Sequence, residues 1–257
     1  MVDRLNDLLN EREFLYGMLC RDATLVDVEL MAQAGYHIIW IDLEHSHQST
    51  SEALLLCRFI THLGMVPLVR ILEPTRTHVQ RLIDGGAQVI NLPDVRTVEQ
   101  ATHFVELGKY PPLGQRGVSS TSASTDFNLG SNIGETLKNA NEASHLMVMF
   151  ESDEGYAALD SILAVDGIDL VTVGPMDWSV GLGTYGEDAK AYLNPKINHI
   201  LTATDQAGKI ATMTVPNVEQ AREYAELGVR IFFLGVDVAM KRKNISDAVG
   251  VFQADLG

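Results

Sequence analysis

Cysteine is scarce in this 257-residue sequence. Cys20 and Cys57 are the only two, 37 residues apart, with no CxxC and no Cys/His cluster. Neither a disulfide framework nor a thiolate zinc site is signalled, and reduced thiols in a cytoplasm fit best. Basic residues are also few: 19 Lys plus Arg against 34 Asp plus Glu leave a formal charge of −15. Such a surface repels a phosphate backbone, so nucleic acid and anionic membrane are disfavoured as partners. No run of 18 apolar residues occurs, and the opening MVDRLNDLLN is charged and lacks an apolar h-region; no membrane span and no signal peptide are expected. A glycine fingerprint for dinucleotides is missing too, the text after the first apolar run reading CRDATLVD, which argues against a doubly wound sheet of the GxGxxG kind.

Lysine is the most telling shortage. The seven are Lys109, Lys138, Lys190, Lys196, Lys209, Lys241 and Lys243. All lie in polar helical or loop text except Lys209, which begins an apolar run. Imine chemistry needs a desolvated lysine amine at the working end of a strand, so a Schiff-base mechanism is not expected.

What the sequence does have is a repeating junction: a polar, helix-like stretch, a Gly, then a short run rich in Ile, Val and Leu. Six copies begin at Gly35, Gly64, Gly86, Gly167, Gly208 and Gly228, and the runs FLYGMLC (14–20) and HLMVMFE (145–151) bring the strand count to eight. Gly suits the left-handed residue that closes a helix, and continuous apolar runs suit parallel strands covered on both faces. Eight βα units in 257 residues, with no linker-like stretch, predict a single (β/α)8 barrel over 1–257. Residues 119–144, rich in Ser, Thr, Asn and Gly, are expected to form a long loop, a flap or a subunit contact.

In such a barrel the chemistry sits where strands run out into the following loops. The polar residues there are Asp42, Glu44 and His45 after the second strand, Arg70 after the third, Asn91 and Asp94 after the fourth, Glu151 after the fifth, Asp177 beyond the sixth, Thr214 after the seventh and Asp237 after the eighth. Asp177 reads either as a helix cap or as a ligand. Glu151 closes the run LMVMF and needs a cation, either Arg70 or a metal, to offset desolvation. Arg70 in turn could pair with Glu73 or Asp42. Asp42 and His45 together suggest proton transfer, since a carboxylate can hold an imidazole tautomer. Two carboxylates with open positions suit a hard divalent ion.

Taken in order, IDLEH (41–45), LVR (68–70), DGGA (84–87), YPP (110–112), GQRGV (114–118), FE (150–151) and GPMDWS (174–179) resemble the successive signatures of the HpcH/HpaI aldolases, metal-dependent class II pyruvate aldolases, over about residues 14–254. The resemblance implies a barrel of the pyruvate/phosphoenolpyruvate-utilising type, a homo-oligomer (hexamer or trimer) in which the C-terminal helix is exchanged between subunits, and reversible cleavage of a 4-hydroxy-2-oxo acid to pyruvate and an aldehyde. Carried over residue by residue, it implies Glu151 and Asp177 as ligands of Mg²⁺, Mn²⁺ or Co²⁺, and Arg70 on the keto oxygen of the substrate. It further implies Asp42 and His45 as an acid/base dyad, Glu44 as a carboxylate holding water at the ion, and Asp84 near the neighbouring subunit's site. Two positions depart from the pattern: Met149 stands where many members have Gln, and Trp178 is bulkier than the Leu often found there. Decarboxylation of oxaloacetate or a related β-keto acid at the same site, and a non-catalytic keto-acid-binding barrel, are the competing readings.

Overall fold

The eight apolar runs become eight parallel strands: β1 (Leu15–Cys20), β2 (Ile38–Asp42), β3 (Val66–Arg70), β4 (Val89–Leu92), β5 (His145–Phe150), β6 (Leu170–Val173), β7 (Ile210–Thr214) and β8 (Val229–Val236). In the computed structural model, which describes residues 2–256, they pair in chain order and close into a barrel, β8 against β1. All six junction glycines have positive φ, between 69° and 109°, which a residue with a Cβ adopts only with strain. They end the polar stretches and turn the chain into the next strand.

The period-two alternation of each strand splits the apolar side chains into two cores. Ile39, Ile41, Val69, Ile90, Val148 and Val171 face the surrounding helices. Ile38, Trp40, Val66, Leu68, Val89, Met147, Met149 and Leu170 fill the barrel interior, with Leu5 and Leu8 of the N-terminal helix Arg4–Glu11 packed against them. Extending the inward rows by two residues reaches Asp42, Arg70, Asn91 and Glu151, and two residues beyond Thr172 the same row of β6 reaches Gly174. The polar residues at the strand ends are therefore one further inward-facing layer.

Residues 119–144 are only partly the loop expected from composition. A 3₁₀ turn spans Ala123–Thr125 and a helix Ile133–Glu142, whose cap Asn132 accepts from the Glu135 N–H. The abundance of Ser, Asn and Gly concealed a helix start of the usual Asn-x-x-Glu kind. The Asn141 side chain ties this helix to Tyr110, accepting from its N–H at 2.6 Å and donating to its carbonyl at 3.0 Å. The C-terminal helix Asp237–Leu256 leaves Ile245, Val249, Val251 and Phe252 exposed. No helix among the described residues is long and apolar enough to cross a membrane.

Candidate active site

Asp42 and Arg70 are register partners on β2 and β3, so their inward side chains meet. The Arg70 guanidinium donates through Nε to Asp42 Oδ1 at 2.9 Å and through Nη2 to Oδ2 at 2.5 Å, with Asp42 fully buried and Arg70 nearly so. Burial alone would raise the Asp42 carboxyl, but the Arg70 guanidinium and the N–H groups of His45 and Glu44 hold it below the usual carboxylate range. A fork-on-fork pair of this kind fixes the guanidinium plane. Nη1 is left pointing at Glu44 Oε2, 3.3 Å away.

The anticipated Asp42–His45 dyad takes a different form. Asp42 touches His45 only through the backbone, accepting its N–H at 3.2 Å, and also accepts the Glu44 N–H at 3.0 Å. The imidazole lies beside Glu44 instead, Nε2 to Oε2 3.6 Å. The reason is local: both Asp42 oxygens are occupied by Arg70 and the turn amides, so the carboxylate shapes the turn that carries the histidine rather than holding its ring. Arg21, which the sequence did not single out, adds an Nε contact to Asp42 Oδ2 at 3.3 Å.

Across the barrel, Glu151 is 9% exposed. Its Oε1 accepts the backbone N–H of Asp94 at 2.8 Å, while Oε2 is buried with no hydrogen-bond partner. Burial, then the charge of nearby Asp177, push this carboxyl up to about 8. Arg70 does not pair with it; the two sense each other only through space. Asp177 stands in the first turn of helix Pro175–Leu182, whose cap is Gly174 with no side-chain cap bond, so the capping alternative for Asp177 is not realised. Glu151 and Asp177 line one cavity of about 420 Å³ with Glu44, His45, Asp94, Arg96, Ser152, Asp153 and Trp178. Among the described residues no group of three or more His, Cys, Asp or Glu gathers closely enough to hold an ion alone.

Gly174 makes room for this arrangement. Its φ of −104° suits any residue, yet a Cβ there would overlap Glu151 Oε2 and come within 3.1 Å of Met149 Sδ. If Glu151 holds a divalent ion, Gly174→Ala should leave the fold intact and weaken Mn²⁺ binding by roughly 10- to 100-fold, the scale on which supporting contacts alter metal sites; unchanged binding by calorimetry would refute the cradle. Trp178 is buried and donates its indole N–H to Asp153 at 3.2 Å, and Lys196 binds the same carboxylate at 2.5 Å. Desolvation would lower the Lys196 ammonium, but Asp153 and Tyr192 hold it above the ordinary lysine range, the opposite of what a nucleophilic amine needs. No lysine lines the cavity.

Two carboxylates that the sequence singles out, Asp237 and Asp84, are not brought to it. Asp237 accepts the Arg21 and Asp22 N–H groups at 2.9 and 3.2 Å, bracing the β1 loop. Asp84, at the end of helix Arg76–Asp84, binds the buried Arg116 guanidinium and the Ser124 hydroxyl, so within one chain it takes no part in the cavity. Sequence reasoning missed Arg96 and the Asp94 N–H, whose part depends on backbone direction.

Comparison with known proteins agrees with this architecture. The family model described as HpcH/HpaI aldolase/citrate lyase matches residues 19–243. The chain is similar to the hydroxypyruvate/pyruvate aldolase of Delftia acidovorans, 31% identical over 96% of this chain and 91% of that one. It is also similar to the 4-hydroxy-2-oxo-heptane-1,7-dioate aldolase of Salmonella dublin, 30% identical over 98% of this chain and all of the relative. The crystal structure of an HpcH/HpaI aldolase from Desulfitobacterium hafniense superposes with a TM-score of 0.89 at 29% identity, covering 97% of this chain and 96% of that one.

Proposed function

This chain belongs to the HpcH/HpaI aldolase/citrate lyase family, and from that premise we propose that it cleaves a 4-hydroxy-2-oxo acid reversibly to pyruvate and an aldehyde, with a divalent ion held by Glu151 and Asp177. It is a carbon–carbon lyase of the pyruvate aldolase kind. The observation that carries the metal reading is Glu151 Oε2, buried and unpartnered in the cavity that Asp177 also lines. An all-oxygen pair suits Mg²⁺, Mn²⁺ or Co²⁺, and such an ion, when bound, polarises the 2-oxo acid as a Lewis acid.

The chain's own residues account for the rest. Arg70, held rigid by Asp42, places a fixed positive charge where the enolate oxygen develops. His45, half-exposed on the rim and flanked by Glu44, takes the 4-hydroxyl proton on its imidazole. The C3–C4 bond then breaks, the aldehyde leaves, and the electron pair stays with the three-carbon fragment until C3 is protonated. Glu44, raised by burial despite Arg70, stands between the two and orders water in the cavity.

Homo-oligomerisation with exchange of the C-terminal helix belongs to the same proposal. Its support is the exposed apolar face of helix Asp237–Leu256 and a mainly apolar cavity of about 440 Å³ lined by Tyr16, Val218, Phe232 and Leu234. Asp84 would then act from one subunit near the site of the next.

The test is pyruvate release from a panel of 4-hydroxy-2-oxo acids, with Mg²⁺ or Mn²⁺ added. Borohydride added with pyruvate should leave the enzyme unmodified and active, because no lysine reaches the cavity. A pyruvyl-lysine adduct with loss of activity would overturn the mechanism.

A further inference from the structure

We propose that Arg96 is a positioning residue for Glu151, acting through a left-handed turn at Asp94; this rests on Glu151 being a metal ligand. The chain leaves β4 at Leu92, and the next two free N–H groups, of Asp94 and Val95, both face β5. The first donates to Glu151 Oε1 at 2.8 Å and the second to the Met149 carbonyl at 3.1 Å. In an extended strand successive N–H groups point to opposite edges. Here the φ of 46° at Asp94 turns both to one side. Residues with a Cβ enter that region at a cost, Asp and Asn more readily than others, so something must hold Asp94 there.

The Arg96 side chain does so. Nε and Nη2 both lie 2.8 Å from Asp94 Oδ2, and Nη1 lies 2.7 Å from Glu154 Oε2. Glu154 belongs to helix Asp153–Ala157, which starts two residues after Glu151. The guanidinium therefore bridges the loop that donates to Glu151 and the loop that carries it. The two loops approach so closely that a Cβ on Gly155 would overlap the Val95 carbonyl. With Oε1 engaged by the Asp94 N–H, Oε2 is the oxygen that remains for the ion.

Electrostatics and positioning make opposite predictions. Arg96 is a cation on the cavity wall, so by charge alone its removal should tighten divalent binding. If it holds the turn, removal should weaken binding. Mn²⁺ titration followed by electron paramagnetic resonance, on metal-free full-length protein, separates the two. Arg96→Met is expected to raise the Mn²⁺ Kd by about three- to fivefold, the scale of a partly exposed ion-pair network, with Tm little changed. Arg96→Lys keeps the charge but loses the fork and should be weakened similarly. In an Asp94→Gly background, which still permits the turn but lacks the carboxylate, Arg96→Met should have no further effect. Unchanged or tighter binding by Arg96→Met, or an equal loss in the Asp94→Gly background, would overturn the positioning role. Wild-type protein that binds no Mn²⁺ would overturn the metal reading and this inference with it.

Discussion

Treatment with EDTA is expected to abolish pyruvate release, and Mg²⁺, Mn²⁺ or Co²⁺ to restore it, while Glu151→Ala and Asp177→Ala fold but lose activity by about 10³-fold or more, the scale of a lost electrostatic stabiliser. A buried carboxylate oxygen without a partner is costly, and Glu151 Oε2 is one. Asp177 neither caps its helix nor makes any side-chain hydrogen bond among the described residues. Both become intelligible when they share a cation. Circular dichroism would establish folding of the variants, and activity that survives chelation would sink the metal reading.

The same site gives a pH dependence with a definite sign. With no metal bound, the Glu151 carboxyl lies at about 8 against an ordinary 4.5, so between those values the folded protein keeps a proton that the unfolded chain has released. Its contribution to stability falls as pH rises through that window. Ion binding must displace the proton, so apparent metal affinity should weaken by about tenfold for each pH unit below about 8. Melting scans in EDTA should show Glu151→Gln gaining on wild type between these pH values; a constant difference would contradict it.

His45→Ala should reduce aldol cleavage by roughly 10²- to 10⁴-fold, as a lost general base does. Oxaloacetate decarboxylation reaches the same enolate without removing a hydroxyl proton, so it should fall far less. Stopped assays of both reactions on one preparation make the comparison, and equal losses would assign His45 to substrate binding instead. Glu44→Gln tests the pairing observed here: if the Glu44 carboxylate rather than Asp42 supports the imidazole, the loss should track His45→Ala and again spare decarboxylation.

The barrel was legible because its signals are local and repeated. Each junction glycine meets a backbone requirement within a few residues of itself, and each apolar run reports burial on both faces. Glu151 was legible for the same reason, as a carboxylate closing the run LMVMF. The helix Ile133–Glu142 was hidden because polar composition outweighed its single cap.

The residue types of the site were determined by the sequence; their pairing was not. That Asp42 meets Arg70 follows from the β2–β3 register, and that contact is what leaves His45 to Glu44. The space above Glu151 depends on Gly174, just past the neighbouring strand β6, and the bond that orients its carboxylate comes from the backbone of Asp94, 57 residues away. Such facts belong to strand order, register and N–H direction, which arise only when segments distant in the chain are brought side by side.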